Sequence, residues 1–168
     1  GSGRNGIAML FDFGQKDDQY QSLLGSQGYA HLGVGILFDD GGQDTYRAEA
    51  NAQGSAQFGI GMLIATADAW DIHESFNNSK GFGYAGGLGL IYDGGGHDTY
   101  ICNHGDPENG GTRLYPSAQL PDNGNSSFCQ GAGLGRRGQS NMVADYMSGG
   151  FGILRDRDGN DTYEASVF

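Results

Sequence analysis

Apolar residues in this chain gather in short runs flanked by glycine, and the same run returns at a nearly constant interval. Gly6-Ile7-Ala8-Met9-Leu10-Phe11-Asp12 comes back as Gly33-Val34-Gly35-Ile36-Leu37-Phe38-Asp39, as Gly59-Ile60-Gly61-Met62-Leu63-Ile64, as Gly87-Leu88-Gly89-Leu90-Ile91-Tyr92-Asp93 and as Gly150-Phe151-Gly152-Ile153-Leu154-Arg155-Asp156. The residue after the first glycine falls at 7, 34, 60, 88 and 151, in steps of 27, 26, 28 and 63. The last step reads as one period plus an insertion of about 36 residues.

An Asp/Gly-rich turn follows each run: Asp39 to Tyr46, Asp93 to Tyr100 and Asp156 to Tyr163, all ending in Asp-Thr-Tyr. Weaker copies run from Asp12 to Tyr20 and from Thr66 to His73, the latter with histidine in the tyrosine position. Gln27-Gly28, Gln53-Gly54, Lys80-Gly81 and Gln130-Gly131 complete the period. Runs this short, bounded by turn residues and without 3.6-residue spacing, predict strands rather than helices.

A single unit of this size cannot bury its own apolar face, so units must stack. The fold expected is an all-β parallel β-solenoid of about 27 residues per coil and about five coils with loop insertions. Right-handed winding is the default for parallel crossovers. Stacking at about 4.8 Å turns repeat positions into columns. Tyr20, Tyr46, Tyr100 and Tyr163 then form an inward aromatic ladder, and the glycines at 35, 61, 89 and 152 leave room for the rings. Of two adjacent apolar columns, Ile36/Met62/Leu90/Ile153 and Leu37/Leu63/Ile91/Leu154, the pattern does not say which points in. The Gln27, Gln53, Gln130 column with Lys80 reads as an amide ladder.

The insertion near 103–128 carries all 3 prolines and reads as a surface excursion; a second lies near 135–148. Cys102 and Cys129 flank the first at positions matching Ala48 and Ala52, which places them close together as either a disulfide or two buried thiols. Long loops on solenoids are where binding sites usually sit, which makes His104 and Asp106 in one excursion and Arg136 and Arg137 in the other candidate binding residues.

Charge narrows the partners. A net charge of −11, from 20 acidic and 9 basic residues, argues against nucleic acid, which needs clustered Lys and Arg. No apolar stretch is long enough for a membrane span. The first and last residues read as partial repeats, so a fragment of a longer solenoid is expected, and both ends would offer strand edges to further coils or to end-to-end self-assembly.

The chemical signal is a pair of aspartate columns, Asp12/Asp39/Asp93/Asp156 and Asp18/Asp44/Asp71/Asp98/Asp161. Stacked carboxylates about 5 Å apart repel by one to several kcal/mol per neighbour, so a cation or hydrogen-bond donors must answer them. Calcium does the first through carboxylate and carbonyl oxygens, with Asp39, Asp40, Asp44, Asp93, Asp98, Asp156, Asp158 and Asp161 as candidate ligands. Asx-turns, in which an aspartate accepts its own downstream N–H, do the second.

Asp93-Gly94-Gly95-Gly96-His97-Asp98-Thr99-Tyr100-Ile101 and Asp156-Arg157-Asp158-Gly159-Asn160-Asp161-Thr162-Tyr163-Glu164 resemble the RTX, or hemolysin-type, nonapeptide GGxGxDxUx, although they recur once per period instead of in tandem. The resemblance implies calcium at Asp98 and Asp161, with Tyr100 and Tyr163 pointing inward.

His73 stands in for a ladder tyrosine and His97 occupies a variable turn position, so neither is read as a catalytic or transition-metal residue. No nucleophile or phosphate-loop signature appears, which favours a non-enzymatic role while leaving enzyme activity open. The leading expectation is a structural or binding module of a larger extracellular or surface protein, stabilised by calcium. The alternative is a carbohydrate-binding or carbohydrate-active domain that uses the insertion loops on a glycan.

Overall fold

The computed structural model describes residues 1–102, 128–135 and 148–165. It is an all-β parallel solenoid, with no helix among the described residues. Each level contributes three short strands. The first holds β1 (Ser2–Arg4), β2 (Ile7–Asp12) and β3 (Gln19–Gln21); the second β4 (Tyr29–His31), β5 (Val34–Asp39) and β6 (Thr45–Ala50). The third holds β7 (Ala56–Gln57), β8 (Ile60–Ala65) and β9 (Ile72–Asn77); the fourth β10 (Gly83–Tyr84), β11 (Leu88–Asp93) and β12 (Thr99–Cys102). The fifth holds β13 (Gly133–Leu134), β14 (Phe151–Asp156) and β15 (Thr162–Ala165). Strands of like position pair into three five-stranded sheets: A (β1-β4-β7-β10-β13), B (β2-β5-β8-β11-β14) and C (β3-β6-β9-β12-β15). From the first level to its equivalent in the fifth the chain makes about four turns.

The register follows the sequence repeat. Ile7, Val34, Ile60, Leu88 and Phe151 align across sheet B, and Tyr20, Tyr46, His73, Tyr100 and Tyr163 across sheet C. The insertion causes no slip, because β12 pairs with β15 and β10 with β13 on its far side. A one-residue slip would turn each strand's inner set outward, so the two-residue alternation holds the register.

Sheet B settles which apolar column faces the core. Leu37, Leu63 and Ile91 are at most 1% exposed, whereas Ile36, Met62 and Leu90 stand on the outer face and are only partly covered. Gly35, Gly61 and Gly89 share the inner face with the leucines. Their role differs from the expected one of making room for rings. A Cβ at Gly35, Gly61, Gly89 or Gly152 would run into the main-chain carbonyl of Tyr29, Ser55, Phe82 or Ala132, all beside sheet A. Glycine is required here because two backbones approach closely. The rings occupy the opposite, wider corner, where sheets B and C meet.

The Gln-Gly step is the corner from sheet C into sheet A. Gln27, Gln53, Lys80 and Gln130 have φ of 48°, 50°, 54° and 56°, and the glycines after them 85°, 73°, 73° and 80°. Two successive left-handed residues are costly for any side chain, and the second position in each pair is glycine. The glutamines do not stack amide on amide. Gln53 Nε2 donates to Tyr46 O and Glu74 O, both at 2.9 Å, and Gln27 Nε2 donates to Tyr20 O at 3.0 Å and Arg47 O at 2.8 Å. Each amide therefore ties two levels of sheet C together from inside. Lys80 takes this place in the third level, fully buried, with its amine donating to Ser75 Oγ. Burial holds that amine well below the usual lysine range.

Cys102 and Cys129 are joined by a disulfide with Cα atoms 6.2 Å apart, across the base of the first excursion. Residues 103–127 and 136–147 lie outside the described residues, and with them His104, Asp106, Arg136 and Arg137.

Candidate metal centre

The two aspartate columns meet at the corner between sheets B and C, and each has its own hydrogen-bonding rule. In the column just before sheet C, a carboxylate accepts the backbone N–H of the equivalent aspartate one level earlier. Asp44 Oδ1 takes the N–H of Asp18, Asp71 Oδ1 that of Asp44, and Asp98 Oδ1 that of Asp71, each at 2.8 Å; Asp161 Oδ1 takes that of Asp98 at 3.0 Å. The carbonyls of Asp18, Asp44, Asp71 and Asp98 in return accept the N–H of Thr45, Ile72, Thr99 and Thr162 at 2.8 to 3.0 Å. The column is stitched between levels, where a local Asx-turn within each level was expected.

The column ending sheet B does form local turns. Asp12 Oδ1 accepts the N–H of Gly14 at 2.8 Å, and Asp39 Oδ1 and Asp93 Oδ1 accept those of Gly41 and Gly95 at 3.2 Å. Their other oxygens serve the aromatic ladder. Tyr20 donates to Asp39 Oδ2 at 2.6 Å, Tyr100 to Asp93 Oδ2 at 3.0 Å and Asp156 Oδ2 at 3.2 Å, and Tyr163 to Asp156 Oδ2 at 2.9 Å. Burial, followed by the carboxylates it faces or bonds, raises each of these phenols far above the ordinary tyrosine value, so the rings stay neutral donors. The rings stack with centroids 4.7 to 5.0 Å apart and planes within 5°.

Where the columns converge, three clusters bring ligand atoms within 4.8 Å of one another: Asp18/Asp39/Asp44, Asp71/His73/Asp93 and Asp98/Asp156/Asp161. Calcium bonds oxygen at about 2.3–2.6 Å, so oxygens on opposite sides of one ion are separated by about this span. The clusters differ in how far the protein already satisfies them. Asp39 and Asp93 have partners for both oxygens. In the Asp98/Asp156/Asp161 cluster, Asp98 Oδ2 and Asp156 Oδ1 are buried with no hydrogen-bond partner, and Asp98 as a whole is 1% exposed. Unpaired buried carboxylate oxygens are costly. Three carboxylates with two open oxygens are the donor set that a hard cation takes, with carbonyls or water completing its shell of about six to eight oxygens.

Burial, opposed by the backbone N–H each accepts and reinforced by neighbouring carboxylates, pushes Asp44 up to about 7, Asp71 to about 8 and Asp98 to about 7. Near neutral pH these groups sit between a proton and an open charge, and a divalent cation competes with the proton for the same oxygens. The second cluster has different chemistry. His73 Nε2 lies 3.1 Å from Asp93 Oδ2, its Nδ1 has no partner, and burial lowers the imidazole's pKa so that it favours the neutral form.

Of the candidate ligands read from sequence, Asp39, Asp44, Asp93, Asp98, Asp156 and Asp161 fall in clusters. Asp40 and Asp158 do not: Asp40 Oδ1 accepts the Thr66 hydroxyl at the surface, and Asp158 is exposed, with its carbonyl accepting the N–H of Gly96. Sequence reasoning left out Asp18, Asp71 and His73. Asp18 and Asp71 belong to the same column but stand in the two degenerate copies, Asp18-Gln19-Tyr20 and Asp71-Ile72-His73, which lack the Asp-Thr-Tyr signature. His97, in the variable turn position, accepts the N–H of Asn160 at its Nδ1, 3.0 Å away. Comparison of the chain with protein-family models, with curated proteins and with solved structures returned no match.

Proposed function

We propose that this chain is a rigid structural module of a larger extracellular or surface protein, an acidic solenoid whose aspartate corner takes up calcium. The observation that carries the reading is the Asp98/Asp156/Asp161 cluster. In a corner where the other inward carboxylates are answered by tyrosine hydroxyls or backbone N–H groups, this cluster keeps two buried oxygens without a donor. The likeness of Asp93 to Ile101 and Asp156 to Glu164 to calcium-binding nonapeptides supports the same ion. The disulfide supports an oxidising compartment, since cytosolic thiols stay reduced. Continuous strand pairing through five levels supports a load-bearing or spacing role, with further coils or a second copy extending the stack.

Calorimetry of the folded chain in calcium and in EDTA tests the cation. At calcium about 100-fold above the dissociation constant, one site stabilises by about 2.7 kcal/mol. In a chain of 168 residues that raises Tm by roughly 5–10 °C. Equal Tm values in calcium and EDTA at pH 7.5 would overturn the reading.

A further inference from the structure

We infer that the outer corner between sheets C and A carries a binding pocket for a neutral saccharide. A cavity of about 290 Å³ opens there across the second, third and fourth levels. Its shape follows from a break in one outward column. Tyr29, Ser55 and Phe82 stand one above another in sheet A register, so a small residue lies between two rings. Ser55 and Ala56 form a recessed floor, Tyr29 one wall, and Phe82 with Tyr84 the other. Phe128 and Leu134 close the upper end.

The polar groups at the rim point to the ligand class. Asn51 and Asn78 are equivalent corner residues held at φ of 51° and 49°, and their side-chain amides have no hydrogen-bond partner among the described residues. The hydroxyls of Tyr29 and Tyr84 also lack one among the described residues. Beneath the floor the Ser55 hydroxyl is buried, 1% exposed, and unpaired. A ring that presents C–H faces to aromatic walls and hydroxyls to amides, which both donate and accept, uses the walls and the rim together.

Charge sets the limits. Among the described residues, no Asp, Glu, Lys, Arg or His lines the pocket, although the chain carries a net charge of −11. Within that lining a phosphate or sulfate ester finds no counter-charge, and a cation no carboxylate. The described lining likewise holds no pair of carboxylates, which glycoside cleavage needs flanking the bond, so it supports binding. Three levels at about 4.8 Å spacing give a footprint about 10 Å long, suited to one or two linked rings. The site is distinct from the aspartate corner, so its occupancy is independent of calcium.

The test is saturation-transfer NMR of the full chain in EDTA with cellobiose, maltose, N,N′-diacetylchitobiose and galactobiose at millimolar concentration, followed by titration of the best responder. The fold is verified by circular dichroism in the same buffer. At least one disaccharide should bind, with affinity reduced at least tenfold in Tyr84→Ala and unchanged in Trp70→Ala, an exposed aromatic outside the pocket. Asn51→Gly with Asn78→Gly keeps the left-handed backbone while removing both amides, and it should lose binding with unchanged Tm. Failure of all four sugars to bind the folded chain would overturn the inference, as would binding that survives both the Tyr84→Ala and the double glycine variants.

Discussion

His73 reaches Asp93 across one level of the solenoid, Nε2 to Oδ2 at 3.1 Å, while its ring lies between Tyr46 and Tyr100 at centroid distances of 4.7 and 4.9 Å. Tyr20 and Tyr100 each stand between the carboxylates of their own level and the next, Tyr20 with Asp12 and Asp39, Tyr100 with Asp93 and Asp156. In the third level the first of those carboxylates is missing, because Ala65 pairs with Asp39 in register. The shorter imidazole and the alanine are therefore one paired substitution. His73→Tyr should fold and cost less than about 1.5 kcal/mol, since Ala65 leaves room and Asp93 keeps a donor. His73→Ala removes a buried ring from a stack and should cost about 3 kcal/mol. Urea denaturation followed by circular dichroism measures both.

Stability without divalent ions should fall as pH rises from about 4 to about 8. Asp44, Asp71 and Asp98 are raised to about 7, 8 and 7 in the folded chain and titrate near 3.9 when unfolded, so the folded state holds protons that the unfolded state has released. Their contribution is fully present below about pH 4 and is lost as pH passes through the folded values, a change on the order of several kcal/mol. Melting in EDTA at pH 5 and pH 8.5 should therefore show the higher Tm at pH 5. Added calcium should flatten the profile by replacing the protons, and a Tm in EDTA that is the same at both pH values would contradict the account.

Asp98→Asn isolates the cluster with open oxygens. The amide oxygen can still accept the Asp71 N–H seen at 2.8 Å, while the unpaired Oδ2 becomes an NH₂ group beside Asp156. In EDTA at pH 8 the variant should melt roughly 3–6 °C above the parent, from removal of about 1.5 kcal/mol of buried like-charge repulsion. In calcium the Tm rise expected of the parent should be absent. Differential scanning calorimetry reads both, and a retained calcium response would move the ion to another cluster.

Reduction of the Cys102–Cys129 bridge should destabilise the chain while leaving its strands intact. The sequence separation is 27, and a loop of that size gives about 3–4 kcal/mol by the chain-entropy argument. Cys102→Ala with Cys129→Ala should show the same strand signal by circular dichroism and a Tm lower by roughly 6–14 °C.

The architecture was legible because stacking makes equivalent positions neighbours: the intervals between Ile7, Val34, Ile60, Leu88 and Phe151 are the strand register itself. Leu37 and Ile36 could not be told apart in the same way, since both are apolar and the deciding fact is the approach of the Tyr29 backbone to Gly35. The aspartate corner was half legible. Columns of Asp were plain, yet Asp44 bonding to Asp18 instead of to its own turn depends on how one level sits over the next. The aromatic-walled pocket at Tyr29 and Phe82 was not legible, because the column Ser2, Tyr29, Ser55, Phe82, Ala132 mixes rings with small residues and nothing in the sequence marks Ser55 as a recess.

The stitching of each aspartate to the level before it gives the molecule a mechanical grain. Tension applied along the axis loads one junction at a time, so the rod should yield as a staircase. Each step would release about 27 residues, roughly 90 Å of contour. The Cys102–Cys129 bridge keeps the excursion it encloses from paying out, so the step through the fourth level should be no longer than the others despite the extra residues there.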